Sequence, residues 1–126
     1  VKAFYIPAGL LALILAFSLW AGSYVRQRTD DWIAQLEQTD KAAMEEDWSQ
    51  AEKRLLEAYD DWDSSQGFFH TIMNHSDLDE AESLFAGAKA VCSQQDDADF
   101  HLLLAQLMEQ MDLLAETQSV SIKNIL

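Results

Sequence analysis

The chain predicts an all-α protein: an N-terminal transmembrane helix continuing into a small antiparallel helical bundle. Three observations predict it. Ala3 to Val25 carries no charged side chain. The whole chain holds a single proline and four glycines, so little interrupts a helix. Beyond the apolar start, apolar residues recur at helical spacing between short polar stops. The organisation read from this is an anchor over 1–25, a stalk or first helix over 26–46, and a helical bundle with a docking C-terminal tail over 47–126.

The apolar stretch is long enough to span a membrane. About 20 helical residues cross a hydrocarbon core of about 30 Å. Phe4, Ile6, Leu10, Leu11, Leu13, Ile14, Leu15, Phe17 and Leu19 supply roughly −0.3 to −0.6 kcal/mol each, on the order of −3 to −5 kcal/mol together. Phe4 and Tyr5 at one end, and Trp20 and Tyr24 at the other, are aromatic residues where the membrane–water boundary would fall. Pro7 lies in the first turns, where a missing N–H costs little. A buried core helix could be this apolar, but so polar a remainder offers little core to receive it. A cleaved signal peptide is the stronger competitor, with Lys2 as a basic start and Ala21-x-Ser23 as a small-residue cleavage site. The apolar run exceeds a usual signal-peptide core, so a retained single-pass anchor in the cell membrane is expected.

The positive-inside rule weighs Lys2 and the terminal amine against Arg26 and Arg28, close to a tie. The short tail before the span favours N-inside, with the helical domain outside the cytoplasm. Ala8, Ala12 and Ala16 recur every four residues, a ridge of small side chains on which another transmembrane helix can pack closely.

From Tyr24 to about Ala43 nothing breaks a helix, and Trp32, Ile33 and Leu36 mark its apolar stripe. Asp47-x-x-Gln50 reads as a capping box. The helix it opens carries Ala51, Leu55, Leu56, Ala58, Tyr59 and Trp62 on one face, and Asp63 to Gly67 is a polar stop. Phe68 to His75 is a short apolar piece of one or two turns. Ser76, followed by Asp77 and Asp79, looks like the next N-terminus, with Leu78, Ala81, Leu84, Phe85, Ala88 and Val91 as the buried stripe. Ser93 to Asp97 is a turn. A last helix from Asp99 carries Leu102, Leu103, Ala105, Gln106, Leu107, Met111, Leu114 and Ala115. The tail ends in Ile122, Ile125 and Leu126, apolar enough to dock. Short turns between long helices make neighbours antiparallel.

Composition narrows function more than it defines it. From Thr29 onward five basic side chains face 22 acidic ones, a net charge of −17. Such a body is repelled by nucleic acid and by anionic headgroups. One cysteine, Cys92, gives no disulfide framework and no Cys-based zinc site. His70, His75 and His101 are the only histidines. His75 and Asp79 are four apart, but His75 precedes the expected cap, so a shared helix face and a metal site are not expected. Asp61-x-Asp63-x-Ser65 begins like a calcium loop and then fails, with Gln66 at the glycine position and Ile72 at the bidentate one. Trp32, Trp48 and Trp62 could line a groove, yet their spacing is that of core residues. Paired carboxylates such as Asp60 and Asp61, or Asp96 and Asp97, are abundant enough to arise from composition alone, and no nucleophile–base pair, phosphate loop or glycoside-hydrolase signature occurs. No catalytic residue, cofactor or metal is therefore expected.

The anchor, Asp47-Trp48-x-x-Ala51-x-x-x-Leu55-Leu56, Trp62, His75-Ser76-Asp77 and the terminal Ser121-Ile122-Lys123-Asn124-Ile125-Leu126 together resemble the bacterial "domain of unknown function 4363" family, over essentially the whole chain. The resemblance implies a membrane-anchored helical protein, found largely in spore-forming bacteria, working beside an integral membrane partner such as the YetF-like proteins. It implies no catalytic residues. The expected function is a non-enzymatic accessory protein that touches membrane lipid through residues 3–25. It would bind another integral membrane protein, or itself, through Ala8, Ala12, Ala16, Ile122, Ile125 and Leu126. Competing expectations are an extracytoplasmic sensor or ligand- and cation-binding module, and an enzyme with an unfamiliar site.

Overall fold

The computed structural model describes residues 2–125, and the side chains of residues 3–119. Among the described residues there are five helices and no strand: α1 (Lys2–Met44), α2 (Trp48–Ser64), α3 (Gln66–Ile72), α4 (His75–Gln94) and α5 (Asp97–Ile125). The all-α reading is correct.

Helix α1 runs unbroken for 43 residues, about 65 Å at 1.5 Å per residue. Gly22 and Ser23 do not interrupt it, and Pro7, in its second turn, forfeits one helical bond without breaking it. Two threonines sit fully buried in its second half. Each hydroxyl is satisfied by its own helix, Thr29 Oγ1 donating to the Arg26 carbonyl at 3.0 Å and Thr39 Oγ1 to the Gln35 carbonyl at 2.9 Å. The helix stops in a Schellman arrangement. Glu46 takes a left-handed φ of 62°, its N–H donates to the Ala43 carbonyl, and the Asp47 N–H donates to the Ala42 carbonyl.

Asp47 then caps α2 by accepting from the Gln50 N–H at 3.2 Å, as the sequence suggests. The expected polar stop at residues 63–67 narrows to a single residue, Ser65, so α3 follows α2 almost at once. The start of α4 differs from expectation. Asn74, not Ser76, is the N-cap: its side-chain oxygen accepts from the Ser76 N–H at 3.0 Å, and His75 is the first helical residue. Asparagine serves because its short amide reaches back to the second helical N–H as readily as a serine hydroxyl does. Gln95, left-handed at φ 55°, ends α4, and Asp96 caps α5 through the Asp99 N–H.

Consecutive long helices are joined by short turns. Helix α1 packs on α2 and α5, and α4 packs on both as well, which closes a four-membered bundle with α3 bridging α2 and α4. Residues 26–44 supply Trp32, Leu36, Ala42 and Ala43 to the core, so they form one wall of the bundle. Trp32, Trp62, Phe69, Phe85 and Phe100 are wholly buried and give the core most of its volume. Leu56 and Leu102, expected on buried stripes, are instead exposed, and Leu104 and Phe100 take the core positions on α5.

Candidate functional site

Among the described residues, the first five turns of α1 form a continuous exposed apolar surface. Phe4, Tyr5, Ile6, Leu10, Leu11, Leu13, Ile14, Phe17 and Leu19 are all exposed. The best 18-residue window of α1 has a mean hydropathy of 2.0 with none of it buried, so this one helix is long and apolar enough to cross a membrane. Burial begins only where the bundle does: Leu15 and Ser18 are half-covered, and Ala21 and Val25 are fully covered. The Arg26–Asp112 ion pair, 3.0 Å long, marks the register of antiparallel α5 against α1. From Asp112 to Ser119 α5 advances about 10 Å toward the N-terminal end of α1, which accounts for the covering of Ser18 and Ala21.

The expected contact ridge lies within the exposed half. Ala8, Ala12 and Ala16 are each exposed. At about 100° of rotation per residue, the buried stripe of Ala21, Val25, Thr29, Trp32 and Leu36 lies within about 40° of Val25. On the same count the three alanines fall at about 100°, 140° and 180° from it. The ridge therefore faces away from the bundle core, on the side of the rod that the other helices leave open. The remaining expected contact residues lie outside the described residues: this applies to the side chains of Ile122 and Ile125 and to Leu126 altogether.

Where the apolar half meets the bundle, aromatic rings form a collar. Trp20 stacks on Tyr24 at 5.5 Å, with planes 19° apart, and Phe17 lies 5.9 Å from Trp20. Phe68 of α3 meets Trp20 and Tyr24 edge-on at 5.8 and 5.0 Å. The adjacent Phe69 faces inward, edge-on to Trp32 at 5.3 Å and to Trp62 at 6.2 Å. A continuous line of rings thus joins the end of the exposed apolar stretch to the core. The sequence shows Trp20 and Tyr24, but Phe68 is joined to them only by the fold.

Two polar clasps lie above the collar. The Arg28 guanidinium donates to Asp61 Oδ1 at 2.7 Å and to Ser65 Oγ at 3.2 Å, and covers the Trp32 ring at 5.1 Å. Asp61 Oδ2 accepts from Trp32 Nε1 at 3.2 Å and from Gln35 Nε2 at 3.3 Å. Burial alone would raise the Asp61 carboxyl. Arg28, helped by Gln35 and Trp32, outweighs it and holds the group below the usual carboxylate range. Glu82 of α4 makes the second clasp, accepting from Trp62 Nε1 at 3.0 Å and from the Tyr59 hydroxyl. That hydrogen bond, with burial and the neighbouring carboxylates, pushes the Tyr59 phenol up to about 12. Lys89 sits over the Tyr59 ring at 3.1 Å.

These contacts account for several residues that the sequence leaves open. Asp61 serves Arg28 and Trp32, so it does not begin a calcium loop. Trp32 and Trp62 have no exposed surface, and Trp48 packs edge-on against Phe100 at 5.5 Å, so these three tryptophans pack in or against the core. Cys92 is buried, which raises its thiol, with Glu52 adding to the effect, so it is no poised nucleophile. His101 meets Asp40 at 2.8 Å, while His70 and His75 face each other across the turn between α3 and α4. Among the described residues no group of three or more His, Cys, Asp or Glu is arranged to hold a metal. An open groove of about 560 Å³ between α4 and α5 is edged by Glu80, Glu109, Asp112 and Glu116, with Leu84 and Leu113 between them.

A family model described as "Domain of unknown function (DUF4363)" matches residues 19–125. No curated protein and no solved structure matches the chain. The match begins at the aromatic collar and takes in the whole bundle.

Proposed function

We propose, from the premise that the chain belongs to the DUF4363 family, that it is a non-enzymatic, single-pass membrane protein whose anchor packs on a transmembrane helix of an integral membrane partner. One observation carries this reading. A single uninterrupted helix is exposed and apolar over its first half and forms a wall of the acidic bundle over its second. Exposed apolar surface of this extent needs lipid or protein to cover it. The ridge of Ala8, Ala12 and Ala16 offers the close approach that drives helix association in lipid, and it lies on the side free of the bundle. On this reading the N-terminus lies on the cytoplasmic side and the bundle outside.

The test is pull-down of the full chain in mild detergent, beside a variant carrying Ala8→Leu, Ala12→Leu and Ala16→Leu. Bulkier side chains block close helix approach without touching the bundle. The variant should lose a membrane partner that the unaltered chain retains, while both keep the same helical circular dichroism. An Ala12→Cys chain that cross-links to itself in membranes would identify the partner as a second copy. Retention of every partner by the leucine variant would refute the ridge. A full-length chain that stays in the supernatant after high-speed centrifugation without detergent would refute the anchor. Protease added to spheroplasts should cut the bundle if it lies outside.

A further inference from the structure

We infer that His70 and His75 form a two-nitrogen binding site for a divalent transition-metal ion of the zinc type. The two side chains come from different helices, His70 from the last turns of α3 and His75 from the first position of α4. Their Nδ1 atoms lie 3.3 Å apart, with ring centroids separated by 4.8 Å and planes tilted by 52°. A zinc–nitrogen bond is about 2.0–2.1 Å long, so two nitrogens of one tetrahedral shell are separated by about 3.3–3.4 Å. The observed spacing matches the bite of a tetrahedral ion. A hydrogen bond from one Nδ1–H to the other Nδ1 also fits 3.3 Å. It adds little by itself, because two exposed rings can turn to water instead.

Asn74 makes this geometry possible. By capping α4 it brings His75 into the first helical turn, and the short connection from Ile72 holds that turn against the end of α3. The chain supplies two ligands, and the exposure of both rings leaves the other coordination positions open to water or to a donor from elsewhere. Imidazole suits zinc, copper and nickel, whereas magnesium and calcium prefer oxygen. Selectivity thus separates this site from the diffuse attraction that a chain of net charge −14 exerts on any cation. Both rings must be neutral to bind, so acidification releases the ion. A bound ion ties α3 to α4 beside the collar, where Phe68 and Phe69 hold the bundle onto α1.

The experiment follows the melting temperature of the full chain in detergent micelles, stripped with chelator and then titrated with zinc chloride or magnesium chloride. Zinc should raise the melting temperature of the unaltered chain and of His101→Gln, and magnesium at the same concentration should not. His70→Gln and His75→Gln should each need at least about tenfold more zinc for the same shift, since even a supporting group of a metal site is worth that much. As a measurement on the unaltered chain, zinc should protect His70 and His75, but not His101, from diethyl pyrocarbonate. The inference is overturned by no zinc shift, by an equal shift with magnesium, by zinc shifts that survive in both His70→Gln and His75→Gln, or by equal modification of all three histidines.

Discussion

Replacing Asp61 by alanine should cost the bundle about 3 kcal/mol. The carboxylate serves three donors on α1: Arg28 at 2.7 Å, Trp32 at 3.2 Å and Gln35 at 3.3 Å. Arg28 keeps only 21% of its side chain exposed, and its Nε is buried without a partner even in the intact chain. Losing Asp61 therefore strands a largely buried guanidinium and a fully buried indole N–H. A charge-assisted bond contributes about 1.5–3 kcal/mol, and each stranded donor costs about 1–3 kcal/mol. Partial relaxation toward Ser65 Oγ keeps the sum near the lower end. For a bundle of about 100 residues, 3 kcal/mol corresponds to a fall in melting temperature of about 12–24 °C. Thermal melts of the full chain in micelles, read by circular dichroism, measure it directly. The pH dependence gives a second check. The folded carboxyl titrates below its ordinary value of 3.8, so its contribution is present above that pH and is lost as the pH falls through the depressed folded value. The gap between unaltered chain and Asp61→Ala should therefore narrow only below about pH 4. A loss under about 0.5 kcal/mol, the range of an ordinary surface substitution, would refute the reasoning.

Two further outcomes follow from the same structure. Leu11→Arg together with Ile14→Arg should add about 6–8 kcal/mol to the transfer free energy of the apolar stretch, more than the −3 to −5 kcal/mol its apolar residues supply. Carbonate extraction of membranes should then release the double variant to the supernatant, and its continued pelleting would show that these turns do not face lipid. Gly87→Ala should stabilise the bundle by up to about 1 kcal/mol, because alanine gains helix propensity. The new methyl would meet only the Leu103 side chain at 3.7 Å, an ordinary contact. A melting temperature lower than that of the unaltered chain would show α4 and α5 to be packed more tightly than this.

What the sequence makes legible here is whatever depends on one helix at a time. The uncharged run from Ala3 to Val25, the Asp47 cap and the stripe of Ala51, Leu55, Ala58 and Trp62 are all local, and all three appear in the fold. The orientation of the Ala8 ridge against Val25 follows from counting residues. Local signals fail where another residue does the same work. Asn74 caps α4 in place of Ser76, and Glu46 and Gln95 take left-handed conformations with no glycine to announce them. Leu102 fits a helical stripe as well as Leu104 does, and only the position of α1 decides between them. The contacts that characterise the site pair residues far apart in sequence: Arg28 with Asp61, Tyr24 with Phe68, Trp62 with Glu82. No periodicity within one segment encodes such a pairing.

The continuity of α1 has a mechanical consequence for the proposed role. A flexible linker after the anchor would let the bundle turn freely and would uncouple it from any partner in the lipid. Here the residues that follow the exposed half, Ala21 and Val25, are already buried, and Arg26 is tied to α5. The collar adds Phe68 from α3. A helix docking on Ala12 would therefore act about 20 Å from Val25 along one rigid rod. Any rotation it imposes about the axis of α1 would turn the entire acidic domain with it. Gly22 lies where such a rod would be weakest, but α5 covers this level too, and α1 stays helical through it. An anchor meant only to tether would need none of this bracing. In the proposed role, this bracing is what would let a partner in the lipid set the orientation of the domain.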